Sequence, residues 1–239
     1  MKRTLVTALF VGLLCFSQPF PSQAANLQNL KTSSNDPGGD YFIGSDETLK
    51  PVIEFILQDS SKLDAVQLYI AANTAFRLNL LSDSGFLFYA AQIRKAFDIQ
   101  RFGLAAANGN NVTTYLGFLN QTIGEKINPT LMASPENFAK AIDKLETWNV
   151  VPAADANYPQ KEYGKPAIPQ KDWASLGASL KEDFLKSFGR KMKTFLSDPK
   201  NADAFRTVQD FNFGRLPKNP ANQAKYDAAL QLLQKSGVQ

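Results

Sequence analysis

The stretch DAVQLYIAANTAFRLNLLSDSGFLFYAAQIRKAFDIQRF, residues 64–102, decides the fold. Residues 64–79 set Val66, Ile70 and Leu78 among alanines, and residues 83–102 carry large apolar side chains at the same three-to-four-residue recurrence. Between the two lies a short polar-apolar break, residues 79–82, so the spacing predicts two helices folded back on each other as an antiparallel hairpin. Small residues in both arms allow the backbones to approach closely, with aromatics filling the gaps between turns.

Outward from the hairpin the helical period continues. On the N-terminal side Ser45 can cap a helix running through Leu49, Val52, Ile53, Ile56 and Leu57, with Pro51 near enough to its first turn to be tolerated. On the C-terminal side a loop with Asn108-Gly109-Asn110 leads into a helix over residues 112–126, with Tyr115, Leu116, Leu119 and Ile123 on one face. Ser134-Pro135-Glu136 is a start signal with cap, first-turn proline and first-turn acid, opening a helix that buries Phe138, Ile142 and Leu145 and ends near Trp148. Residues 151–170 differ in kind. Pro152, Pro159, Pro166 and Pro169 forbid regular helix there, so this segment reads as an extended crossover that also carries Tyr158 and Tyr163. From Asp172 the period returns in a long element with Trp173, Leu176, Leu180, Phe184, Phe188, Met192 and Phe195. Shorter helices are expected over residues 202–210 and from Pro220, the last packing Tyr226, Ala229, Leu230 and Leu233. No strand pair is evident, and the expectation is one all-α domain, residues 45–239, behind a polar lead at residues 25–44.

Residues 1–24 read as an export signal. Lys2 and Arg3 are followed by an apolar run, residues 4–16, that is short for a bilayer span, and Ser22-Gln23-Ala24 places small residues where a signal peptidase reads. Cleavage after Ala24 and residence in a periplasm are expected, with no integral membrane segment left after cleavage. Leu14 before Cys15 does not suit lipid attachment. Loss of Lys2 and Arg3 lowers the formal charge from +4 to +2, and the lysines are interspersed with acids, so no nucleic-acid partner is expected.

The chain has no histidine, and its single cysteine lies within the signal. That excludes Ser-His-Asp and Cys-His catalysis, zinc sites and disulfides from the mature protein, and no cofactor is expected. Carboxylate catalysis stays open, because a glycosidase needs only two acids across a cleft. Glu54, Glu125, Glu146, Asp155 and Glu162 are the candidates, and nothing in their spacing singles out a pair. Asp36-Pro37-Gly38-Gly39-Asp40, with Asp46, holds oxygen ligands without the spacing of a calcium loop and reads as a turn; no metal is expected. Asn111-Val112-Thr113 and Asn120-Gln121-Thr122 match the glycosylation acceptor pattern, incidentally in a bacterial chain. The basic residues Lys181, Lys186, Arg190, Lys191 and Lys193 read as a solvated outer face.

Two resemblances attach to these residues. Leu68, Ala71, Ala72 and Ala75, with Ser84, Phe88 and Ala91, fall at the large-small and small-aromatic-small positions of one tetratricopeptide-type hairpin, although Ala96 stands near the place of its closing proline and no second copy follows. Residues 85–94, 122–128 and 141–148 resemble a family of exported bacterial helical proteins of uncharacterised function, which implies a shared helical fold and brings no activity with it.

On the second hairpin helix Phe86, Tyr89, Ile93 and Phe97 share a side, with Arg94 and Asp98 opposite. Arg94 reads either as a half-buried clamp for an anionic group or as half of an ordinary i to i+4 ion pair on a solvated face, and the ordinary pair is the expectation. The leading functional reading is a protein-binding or scaffolding module of the cell envelope, its partner another envelope protein. The docking groove would lie between the hairpin and the crossover, with Tyr158, Tyr163 and Trp173 on its rims and Arg94 as its charged contact. A carboxylate-dependent hydrolase of an envelope polymer is the alternative; a plug for a partner toxin is not separable from the binding module on sequence.

Overall fold

The computed structural model describes residues 31–32, 39–104, 111–152 and 163–235. The fold is all-α: α1 (Asp46–Gln58), α2 (Ala65–Arg77), α3 (Leu81–Phe102), α4 (Asn111–Met132), α5 (Pro135–Thr147), α6 (Trp173–Phe184), α7 (Arg190–Leu196), α8 (Pro199–Asn212) and α9 (Pro220–Lys235). A single antiparallel bridge, Thr32 to Phe42, is the extended pairing among the described residues. The signal, the Asp36 turn, the Asn108 loop and Tyr158 lie outside the described residues.

The hairpin forms as its sequence demands. Asp64 caps α2 by accepting from the Gln67 N–H at 2.8 Å, while the Gln67 side chain accepts from the Asp64 N–H at 3.1 Å, so two orphan donors are satisfied reciprocally. At the other end Asn79 adopts φ 59°, Asn79 N–H donates to the Phe76 carbonyl and Leu80 N–H to the Ala75 carbonyl. This is the left-handed cap in which asparagine is the least strained residue after glycine. The turn reverses the chain, and α3 lies along α2 with Ala71, Ala72, Ala75, Ala90 and Ala91 all fully buried. Phe88 fills the seam, its ring 5.8 Å from that of Tyr69. The hairpin itself is therefore present; its tetratricopeptide likeness is not confirmed.

Helix α3 is the centre of the molecule, with α2, α4, α5 and α6 packed around it. Close approach is set by missing side chains. A Cβ on Gly85 would stand 2.4 Å from Leu131 of α4 and 3.2 Å from Ala141 of α5, and one on Gly124 would stand 2.8 Å from the Phe88 ring. Helix α4 runs past its expected end at residue 126 and through Pro129, because Ile127 and Leu131 are fully buried against the core. The carbonyl that Pro129 leaves without an amide partner belongs to Glu125, on the exposed side where water can serve it. The long C-terminal element is broken by a π-helical turn, Leu185–Gly189, which brings Phe184 and Phe188 to 5.4 and 5.6 Å from Tyr89. Helices α8 and α9 form a smaller cluster around Ala204, Val208, Ala229 and Leu233, joined to the main core through Phe195 and Phe205.

The polar lead is more structural than its composition suggests. Phe42 is buried, its N–H donating to Thr74 Oγ1 at 2.8 Å, and Asn73 Nδ2 donates to the carbonyls of Gly39 and Asp40 at 2.8 and 3.0 Å. The Asp40 carboxylate accepts from the Tyr115 hydroxyl, so residues 39–42 fasten α2 to α4.

Substituting Asn79→Gly is expected to leave stability within a few tenths of a kcal/mol of wild type, and Asn79→Val to lower it by about 1–2 kcal/mol, the cost of forcing a β-branched residue into the left-handed region. Urea unfolding of both variants checks this.

Candidate functional site

Arg94, Asp98 and Arg101 project from one stripe of α3, and none of them reaches solvent: their exposures are 0%, 0% and 2%. The solvated ion pair expected for Arg94 and Asp98 is thus corrected, because the face that carries them is roofed by other parts of the chain. Arg94 Nη1 donates to the Leu63 carbonyl at 2.5 Å in the α1–α2 link, and its guanidinium lies 5.4 Å from the centre of the Trp148 ring. Arg101 Nη2 stands 3.2 Å from Asp98 Oδ1, and its guanidinium is 4.2 Å from the Phe102 ring centre and 4.7 Å from that of Trp173. Asp64 is buried beside Arg94, so two carboxylates and two guanidiniums share the interior and their charges sum to zero. Burial pushes the Asp64 carboxyl up to about 6, against the opposing pull of the Gln67 amide, the Arg94 charge and the Val66 amide.

The crossover is bound to this stripe. Both Ala167 N–H and Ile168 N–H donate to the Arg101 carbonyl, at 2.7 and 3.2 Å, and the Trp173 indole donates to the Ile168 carbonyl at 2.9 Å. Tyr163 is 4% exposed, its ring edge-on to Phe102 at 5.3 Å. Tyr163 and Arg94 are therefore interior groups, and the expectations of Tyr163 on an exposed rim and of Arg94 as a charged contact for a partner are corrected. Trp173 is half-buried and staples the crossover to α3. Of the four residues named from sequence, the structure brings Arg94 and Trp173 to the same charged stripe, adds Tyr163 at its end, and leaves Tyr158 outside the described residues.

A groove opens instead on the other side of Trp148. It has a volume of about 480 Å³ and is bounded by the end of α1 and its link to α2 (Leu57 to Ser61), Phe86 of α3, and Lys144 to Asn149 at the end of α5. Two largely buried aromatic rings lie at its base, Phe86 and Trp148, 4% and 8% exposed and edge to face at 6.3 Å. Trp148 is held from three directions: its indole donates to Ser60 Oγ at 2.8 Å, Phe86 meets its ring, and Arg94 lies behind it. Lys181 reaches across to the carbonyls of Glu146 and Trp148 at 2.9 and 2.7 Å, fixing the last turn of α5 with a cation at the negative end of its dipole. Lys144 at the groove edge pairs with Asp83, and Asp59 accepts from Ser61 Oγ at 2.5 Å.

Asp59 is the one carboxylate among the groove-lining residues. The acids weighed for hydrolysis are not brought together there: Glu54 and Glu125 are exposed elsewhere, Glu146 pairs with Arg190 at 3.1 Å, and Asp155 and Glu162 lie outside the described residues. Lys186, Arg190 and Lys191 are exposed as expected and Lys193 is partly so, Arg190 pairing also with Glu182 at 2.8 Å and Lys193 with Asp143; Lys181 is instead half-buried against the end of α5. No helix among the described residues is long and apolar enough to cross a membrane.

No family profile, no curated protein and no solved structure matches the chain.

Two substitutions separate the roles of the buried charges. Replacing Arg94→Met leaves the buried Asp64 carboxylate without its neighbouring cation, Asp98 keeping Arg101, and is expected to cost about 3–5 kcal/mol in urea unfolding, far more than an exposed ion pair is worth. Asp64 behaves oppositely with pH. Between 3.8 and about 6 the folded protein holds a proton that the unfolded chain has released, so stability falls as pH rises through that window, by on the order of 3 kcal/mol. Unfolding midpoints of wild type and Asp64→Asn across pH 4 to 7 should differ by this component, and parallel profiles would show that the Asp64 carboxyl is not held protonated.

Proposed function

We propose that the chain is an exported binding module of the bacterial cell envelope, cleaved after Ala24, and that it engages another envelope protein at the groove floored by Phe86 and Trp148. The observation that carries this reading is the anatomy of the groove: two immobilised aromatic rings surrounded by Gln58, Asp59, Ser61, Thr147 and Asn149. A rigid aromatic floor inside a polar rim is the arrangement by which protein interfaces gain affinity, since the rings lose little entropy on contact and the rim groups keep water from the anchor. The side chain of Gln58 is exposed at the groove and its amide is open to an incoming backbone. An extended peptide with one apolar anchor residue fits this shape.

The hydrolase reading receives less support from the same residues. Cleavage of a glycosidic polymer requires a second acid across the cleft from the first, and Asp59 faces Lys62 and Ser61 in place of another carboxylate. The likeness to exported bacterial helical proteins, carried by residues 85–94, 122–128 and 141–148, agrees with an envelope role and adds no activity to it.

A photo-crosslinking side chain at position 58, expressed with the export signal, is expected to yield a discrete adduct with one envelope protein. The same side chain at position 206, on the outer face of α8, should not yield it, and filling the groove with Ser61→Trp should abolish it. Equal adducts from both positions, or an adduct indifferent to Ser61→Trp, would contradict docking at the groove.

A further inference from the structure

A second, smaller pocket lies between α2, α3 and α4, with a volume of about 280 Å³, lined by Tyr69, Gln92, Lys95, Ala96, Ile99 and Asn120. It shares no residue with the groove at Trp148, so the two readings stand or fall separately. Its polar end is made of donors. The Tyr69 hydroxyl donates to Asn120 Oδ1 at 3.0 Å, which fixes that amide and turns its NH₂ away from the tyrosine. Gln92 and Lys95 stand three apart on one side of α3, and Lys95 pairs with no acid among the described residues. Partial burial holds the Lys95 ammonium below the ordinary lysine range. Ala96 and Ile99 lie on the same face of α3 as Gln92 and Lys95 and supply the apolar part of the lining.

From these positions we infer that the pocket binds a small monocarboxylate, with Lys95 as its counter-ion, Gln92 and Asn120 as amide donors to its oxygens, and Ile99 and Ala96 against a short alkyl chain. A half-buried cation without an acid is costly, and a carboxylate removes that cost while using donors already in place. One cation and two neutral amides match a single negative charge; a phosphate dianion would leave charge uncompensated. The volume of about 280 Å³ lies just below the usual range for ligand sites, which restricts the occupant to a small molecule. Arg94, Asp98 and Arg101, on the buried stripe of the same helix, take no part, because they are sealed beneath Trp148 and Trp173.

Calorimetric titration of the mature protein with sodium butyrate, at constant ionic strength, tests this. Saturable one-to-one binding is expected, weakened by at least about tenfold in Lys95→Met and measurably in Gln92→Leu, as loss of hydrogen bonds to a charged group requires. Both variants should keep the wild-type melting temperature, Lys95→Met because it removes a desolvated charge and leaves its stem in place. Inorganic phosphate, titrated in parallel, should bind more weakly than butyrate. The inference is overturned by absence of saturation with butyrate, by unchanged affinity in Lys95→Met, or by phosphate binding as tightly as butyrate.

Discussion

Two guanidiniums and a carboxylate on one face of the central helix cannot be left in an apolar interior without partners, and the rest of the fold is arranged to supply them. Each ion removed from water loses several kcal/mol of hydration. Recovery of that energy brings in the Leu63 carbonyl from the α1–α2 link, Trp148 from the end of α5, and Trp173 from the start of α6. Segments far apart in sequence are thereby fixed in register on α3. The crossover is the clearest case: two of its amides converge on one carbonyl, that of Arg101. An apolar stripe in the same place would be as stable, but it would accept many registers of the overlying chain, whereas planar guanidiniums with fixed donor directions accept few.

The groove inherits its rigidity from this arrangement. Trp148 has Arg94 behind its ring, Ser60 at its indole nitrogen and Phe86 at its edge, so an incoming side chain meets a surface that does not have to be ordered first. The close approach of α3, α4 and α5 through Gly85 brings Phe86 to the floor. Further along α3 the helix turns Gln92 and Lys95 toward α4, where the packing leaves a pocket instead of a sealed contact. One helix thus presents an aromatic ring near its start, a cation with an amide past its middle, and a sealed charged stripe along its second half on a different face.

Much of this was legible in the sequence. The helical period located the helices, except that α6 and α7 were read as one element without the π-helical turn between them; Ser134-Pro135-Glu136 marked the start of α5, and the alanine-rich hairpin formed between the segments expected. The extension of α4 through Pro129 was not legible from the proline rule, because buried Ile127 and Leu131 outweigh one lost hydrogen bond at a solvent-facing carbonyl. Arg94 and Asp98 were read as a solvated pair on pairwise spacing alone. The signal that would have corrected this is wider: Arg94, Asp98 and Arg101 repeat at helical spacing on the side of α3 opposite Gln92, Lys95, Ala96 and Gln100, and those four already supply the solvent-facing side of the helix. Tyr163 was read as a rim residue because an aromatic on a segment that prolines hold extended suits recognition; the convergence of its neighbours on the Arg101 carbonyl depends on tertiary contacts that local sequence does not carry. The groove was missed for the same reason, since Ser60, Phe86 and Trp148 meet only after three elements pack.

The central claim is that the guanidinium stripe of α3 is sealed within the folded core. Side-chain hydrogen exchange of the arginines, followed by nitrogen-detected magnetic resonance on the native protein, reads this directly. The Arg94 and Arg101 guanidinium protons should exchange orders of magnitude more slowly than those of the exposed Arg190 and Arg206, at a rate set by opening of the core. Exchange of Arg94 and Arg101 as fast as that of Arg190 would place the stripe in water and contradict the account.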